Sequence, residues 1–404
     1  MNPTGAQIAP EGTTKLTKLT KITKKTEIFF VGFVCFVVLV CSVVRIAAAL
    51  HVLAPALVVV AQTAVPRLPP APPNPPAPSV QAPADPGYAA LIATCKTPPP
   101  ARGGFGRGGA RGAQPPQGVR DYTVAEISGV IRAGQKWAFL WQQAGNNGDG
   151  IVGTDDGGLL LAQNDSSNVV KLDKSGKPSV AYSNTHTGGA LSMSPKGNLF
   201  IVARGLRMKV EQLAPQRRVL ADSFQGEPLD CVGPVINDLT ADSRGGVYFT
   251  MGGLFYADAK GAVTRYGENL TTNGVILSGD EKTLYVTNGT TLVAFDVQKD
   301  GSLTSQREFV RFTAGGGDGA TIDSQGRLYV TTSAGVEVIG SDGKHLGVIP
   351  TPRGVISCAF GGRDKKTLFV LARGAQDAEG NEVANAAQVW SIQTIAQGHK
   401  GRAK

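Results

Sequence analysis

Beyond Asp121 the apolar residues come in short runs separated by tight polar turns, and no stretch keeps the spacing of an amphipathic helix. The recurring unit is an apolar strand, a turn rich in Asp, Gly and Lys, and a second strand that opens on Leu or Val. It occurs as "GDGIVGTDDGGLLLAQ" from Gly148, "GGALSMSPKGNLFIVA" from Gly188 and "INDLTADSRGGVYFTM" from Ile236. It returns as "TNGVILSGDEKTLYVTN" from Thr272, "GDGATIDSQGRLYVTT" from Gly317 and "ISCAFGGRDKKTLFVLA" from Ile356. Each reads as a β-hairpin. A return about every forty residues is the period of a four-stranded propeller blade, and segments such as "NVVKLDKSGKPSV" and "GVEVIGSDGKHLGVIP" supply the outer strands. The pattern therefore predicts an all-β, six-bladed propeller over 121–395. Its ring is expected to close by pairing "DYTVAEI" near Asp121 with "AQVWSIQTI" near Val389, because an open edge would leave backbone groups unpaired.

The first 120 residues follow other rules. Residues 1–64 hold a basic tail, "TKLTKLTKITKKTE", and two apolar runs, "IFFVGFVCFVVLVCSVV" and "IAAALHVLAPALVVVAQTA", separated by Arg45. The first is long enough to span a bilayer with positive charge on its cytoplasmic side. The second has the form of an export signal ending in small residues around Ala61 to Ala64. Either a start near Val43 or Val44 makes the second run the working signal, or the first is a membrane anchor. Both predict an exported body, periplasmic or secreted, touching a membrane only through this segment. Residues 65–120, rich in Pro and Gly, are expected to be linker, including the run "RGGFGRGGARG". Residues 396–404 read as a basic tail.

Charge removes one class of partner. The chain carries 40 Lys and Arg against 31 acids, and 12 of the bases but only 3 of the acids precede Asp121. The propeller region is thus neutral, which argues against nucleic acid. The five cysteines show no CxxC or zinc spacing. Cys95 falls in the linker, while Cys231 and Cys358 are expected as buried thiols unless the fold brings them together.

The chemistry is expected where each blade opens. In a propeller the innermost strands line a central channel, so the residues just before them meet at one mouth. The repeats place Asp149, Gly189, Asn237, Asn273 and Asp318 there, followed by an apolar sixth position in "VISCAF". Short oxygen-bearing side chains without His or Cys suit one divalent cation, calcium first, with magnesium, manganese or zinc as alternatives and zinc the least expected. Asp and Asn before Gly are also ordinary turn formers, but four at matching positions favour a site.

The same stretches, strongest over the last three repeats and covering roughly Lys136 to Ile392, resemble the gluconolactonase, regucalcin and senescence-marker-protein family of six-bladed propellers. The resemblance implies one divalent ion, commonly calcium, held by a Glu of the first blade, an Asn of the middle and the Asp of a "PDG" motif. Asn273 in "TNGV" and Asp318 in "GDGA" correspond to the last two. Asn237 in "INDLTAD" is similar to the family's additional channel Asn, a metal ligand or a substrate contact. The family's first-blade "EGP" stands here as "GDGI", which makes Asp149, one methylene shorter, the expected ligand.

Such a site is expected to hydrolyse a lactone by Lewis-acid assistance, with Asp318 as ligand and general base. A sugar lactone is the first expectation, with a phosphotriester or aryl ester as other substrates, and the body is expected to be a monomer. His186 in "SNTHTGGALS" and Arg204 in "IVARGLR" are the candidate substrate contacts beside Asn237. There is no GxSxG elbow for a serine nucleophile. The reading from another class is a non-catalytic propeller with a structural calcium ion that binds carbohydrate or protein.

Overall fold

The computed structural model describes residues 66–70, 78–97, 99 and 122–401. The signal and anchor candidates, the proline run 71–77, the RGG run and residues 402–404 lie outside the described residues. Among the described residues no helix is long and apolar enough to cross a membrane.

Six four-stranded antiparallel sheets follow one another along the chain. Blade 1 opens with Gly148–Gly153, blade 2 with Gly188–Met193 and blade 3 with Leu239–Ala241. Blade 4 opens with Thr272–Leu277, blade 5 with Ala320–Ile322 and blade 6 with Val355–Gly361. Six hydrophobic clusters join the blades pairwise, and the reason lies in strand periodicity. In blade 1, Ile151, Leu159 and Leu161 pack toward blade 6, while Val152, Leu160 and Ala162 pack toward blade 2. Alternate side chains thus serve opposite faces, both buried, so an inner strand reads as a continuous apolar run.

The ring closes in blade 6, where Glu382–Gln393 pairs with Ala138–Ala144, Ala138 opposite Ser391 and Ala144 opposite Ala386. The C-terminal partner is the expected one, but the N-terminal partner is "AFLWQQA" rather than "DYTVAEI". The latter lies outside the strands because Val124 and Ile127, with Val130 and Ile131, fill the cluster between blades 5 and 6.

Part of the expected linker folds onto the propeller. Leu68 is buried against Ala375 and Ala386, and its N–H donates to the Gln376 carbonyl. Residues 78–97 form a strap over blades 1 to 3. Ser79 donates to the Asn164 carbonyl at 2.7 Å, Ala82 is buried between blades 2 and 3, and Cys95 is disulfide-bonded to Cys231. Cys231 therefore pairs with a strap cysteine, and Cys358 remains a buried thiol. Glu227 lies beside both sulfurs, but the disulfide removes them as metal ligands. The C-terminal segment is also ordered: Gly398 bridges Asp323 and the His399 N–H donates to the Ile322 carbonyl.

Candidate functional site at the channel mouth

A bulge at the head of the inner strand sets Asp149, Gly189, Asn237, Asn273 and Asp318. In blade 1 Gly148 pairs with Gln163 and Ile151 with Leu161, so Asp149 and Gly150 together face one residue. Blade 2 repeats this at Gly189 and Ala190, and blade 4 at Asn273 and Gly274. In blades 3 and 5 the same two-against-one pairing comes just before the strand. The Asn237 N–H donates to Thr250 and Thr250 donates back to Asp238. The Asp318 N–H donates to Thr331, which donates back to Gly319. A bulge redirects a side chain out of the pleat, and Asp149, Asn237, Asn273 and Asp318 are each half-buried between more buried neighbours.

The second residue of each bulge meets the next blade. A Cβ on Gly150 would stand 2.5 Å from the Leu191 nitrogen, and one on Gly274 would stand 2.1 Å from the Asp318 carbonyl oxygen. Glycine is therefore needed for close backbone approach, as at Gly319 beside Ile356. Blade 3 departs from this with Asp238, whose buried carboxylate accepts the Val275 N–H of blade 4 at 2.8 Å. That residue was not singled out in the sequence, although an acid at the position where other repeats carry Gly or Ala is its signature.

Side chains from four blades form one polar chain. Arg204, which follows the second strand of blade 2, is 5% exposed, and its guanidinium forms an ion pair with Asp149 of blade 1. Its Nε donates to the Ile236 carbonyl at 2.9 Å. Its Nη2 donates to Asn237 twice, to the carbonyl at 2.7 Å and to Oδ1 at 2.9 Å. The Asn237 amide in turn donates to Asn273 Oδ1 at 2.5 Å, and Thr250 Oγ1 donates to the Asn273 carbonyl at 2.6 Å. Asp318 stands next in the ring, its backbone carbonyl against Gly274.

Arg204 reaches this position because blade 2 has no side chain at its bulge: a Cβ on Gly189 would lie 2.3 Å from the Arg204 Cζ. Far from being a surface residue, it is spent on the protein. His186 sits on the same rim, joined to Arg204 through its backbone, whose carbonyl accepts the Arg204 and Gly205 N–H groups. Its exposed ring titrates below the usual 6.5 because partial burial and then Lys209 disfavour the charged form. The polar residues of "WQQAGNNGDG" hold the neighbouring loop. Asn147 donates to Asp165 through its backbone and its amide, and Asn146 donates to Ser166.

In kind, the donors fit a hard divalent cation: two carboxylates and two carboxamide oxygens, with no thiol or imidazole among them. Two of the four, Asp149 Oδ2 and Asn237 Oδ1, are shared with the Arg204 guanidinium. A cavity of about 450 Å³ lined by Arg244, Glu281, Lys299 and His399 lies by the C-terminal segment. It is at the other end of the inner strands, away from these oxygens.

Residues 179–373 match the family described as the SMP-30/Gluconolactonase/LRE-like region. The propeller is similar to this family over that span. A gluconolactonase of Zymomonas mobilis is 28% identical over an aligned length of 217, with 45% of this chain and 60% of that protein covered. The chain thus spans less than two thirds of that relative's length. It shares its fold with a gluconolactonase of Xanthomonas campestris, with TM-score 0.54, 21% identity, and 65% of this chain and 90% of that one covered. It is similar also to a calcium-binding regucalcin of Agrobacterium tumefaciens, with TM-score 0.50, 18% identity, and 64% and 96% covered. At these identities the likeness is one of fold.

Proposed function

We propose that this chain is a lactonase that opens a sugar lactone at the channel mouth. A divalent ion, calcium first, is held there by oxygens of Asp149, Asn237, Asn273 and Asp318. The observation that carries this reading is the convergence of oxygen-bearing bulge residues from four blades of a propeller similar to the SMP-30/gluconolactonase family. The gluconolactonase relative and the calcium-binding regucalcin support substrate class and ion respectively.

Bound there, the ion supplies Lewis-acid polarisation of a carbonyl and a more acidic water. The protein's own part is positional and basic. Asp318, on a backbone fixed by its bonds to Thr331 and by contact with Gly274, takes the proton of the attacking water as the water oxygen bonds the carbonyl carbon, and returns it to the ring oxygen as the acyl–oxygen bond breaks. Asn237 and Asn273, tied to each other and to Thr250, orient the lactone oxygens. His186, neutral near pH 7 by the direction of its shift, stands on the rim as a second proton acceptor for the opened product. The reading includes export to an oxidising compartment, which the Cys95–Cys231 disulfide supports.

The test is hydrolysis of a panel of sugar and aliphatic lactones by the full chain, after chelation and with calcium, magnesium, manganese or zinc restored. Turnover that needs the ion is expected; a panel left intact under every metal would remove the lactonase reading.

A further inference from the structure

Resting on the reading that these oxygens form an ion site, we propose that Arg204 is the resident cation of that site. A divalent ion binds by exchange, displacing the guanidinium from Asp149 and from Asn237 Oδ1. Arg204 takes the place in the ring that the other blades fill with a bulge side chain, over a glycine whose missing Cβ leaves it room. Its guanidinium is anchored on backbone as well, through Nε to Ile236 and Nη2 to the Asn237 carbonyl. Its main chain is pinned from both sides, by the N–H bond to His186 and by the Ala82 N–H of the strap, which donates to its carbonyl at 2.8 Å.

Two consequences follow from charge. With Arg204 in place the mouth holds two carboxylates and one fixed positive charge, so Asp149 is neutralised without any ion. An incoming divalent cation meets a like charge in contact with two of its four protein oxygens, which lowers its affinity. The propeller is thereby built to stand ion-free and to load only when the ion is abundant. A site of oxygens alone would be repelled by its own carboxylates until filled.

The experiment is calcium binding by calorimetry, with thermal melting alongside, on the full chain as wild type, Arg204→Met and Arg204→Lys. Methionine keeps much of the length of the stem without charge; lysine keeps the charge without the fork that reaches Asp149 and Asn237 together. Arg204→Met is expected to bind calcium at least about tenfold more tightly than wild type and to gain more melting temperature from it, with Arg204→Lys between. Should Arg204→Met fail to fold by circular dichroism, the lysine variant decides. Calcium affinity no tighter than wild type in the folded variants, including no binding in any of them, overturns the exchange. Lactone turnover in the same samples reports separately: an inactive wild type whose variants still gain calcium affinity leaves the exchange standing and removes the lactonase.

Discussion

Gly189 and Arg204 occupy complementary space: the first lacks the atoms that the second's guanidinium replaces, with only 2.3 Å between an added Cβ and the Arg204 Cζ. Gly189→Ala therefore forces a buried, ion-paired guanidinium off its carbonyl and carboxylate partners. We expect a loss of about 2–4 kcal/mol, the range of overpacking combined with a weakened buried pair, read by chemical denaturation. A loss below about 1 kcal/mol would mean that the displaced arginine is held almost as well as the resting one.

The propeller was legible because both faces of each inner strand are buried. That writes apolar runs such as "GIVG" and "VYFT" into the chain at blade period, and a polar hairpin turn punctuates each. The matching bulge positions were legible for the same reason, since Asp149, Asn237, Asn273 and Asp318 recur at one point of a repeat. Arg204 could be named but not placed, because its position depends on a missing side chain fifteen residues earlier. The strap was not legible at all. Its contacts include backbone bonds at Ser79 and Ala82 and one disulfide across 136 residues, and none of these leaves a local pattern in a proline-rich stretch. The ring closure was misread for a related reason. "DYTVAEI" and "AFLWQQA" are both short segments with strand-forming residues, and only packing sends the first to a cluster and the second to the edge of Glu382–Gln393.

Asp318→Ala should separate chemistry from folding. Its side chain is half-buried, and the backbone bonds that fix the bulge, to Thr331 and from Gly319 to Ile356, do not need the carboxylate. We expect lactone turnover to fall at least about a hundredfold, as for loss of a general base, with the far-ultraviolet spectrum unchanged. Turnover within a few-fold of wild type would take Asp318 out of the base role.

Asp238 should matter for stability instead. Its Oδ2 accepts the Val275 N–H and its Oδ1 the Leu239 N–H, both at 2.8 Å in a buried setting. Asp238→Ala leaves two buried amides unsatisfied and opens the contact between blades 3 and 4. The expected cost is about 3 kcal/mol, measured as a shift in denaturation midpoint without change in slope.

The ring of His186 gives stability a defined pH dependence. Burial and then Lys209 hold its folded pKa below 6.5, so the unfolded chain takes up a proton before the folded one does. The contribution of the neutral ring is complete above pH 6.5 and is lost as pH falls through the folded value. Histidine NMR titration should show one imidazole titrating below 6.5, and His186→Gln should remove that resonance and flatten the acid limb of the melting curve. A His186 midpoint at or above 6.5 would contradict the assignment.

Reduction should release the strap before it unfolds the blades. The Cys95–Cys231 bond closes a loop of 136 residues, long enough for cross-linking to limit the unfolded chain strongly, so Cys95→Ser with Cys231→Ser is expected to cost about 2–4 kcal/mol. At its C-terminal end the strap's remaining hold is modest, the Lys96 N–H on Glu227 at 2.9 Å and buried Leu91, whereas Ser79, Val80 and Ala82 are held by bonds to Asn164, Thr187 and Arg204. Hydrogen exchange under reducing conditions should therefore accelerate first at the Lys96 amide. Ala82 should follow, while Ile201 and Leu161 in the inner blades stay protected. Because the Ala82 N–H holds the Arg204 carbonyl, loosening there should also reach the channel mouth. If instead strap and blade amides lose protection together, the strap is part of one cooperative unit with blades 2 and 3, and the disulfide holds the propeller rather than its rim.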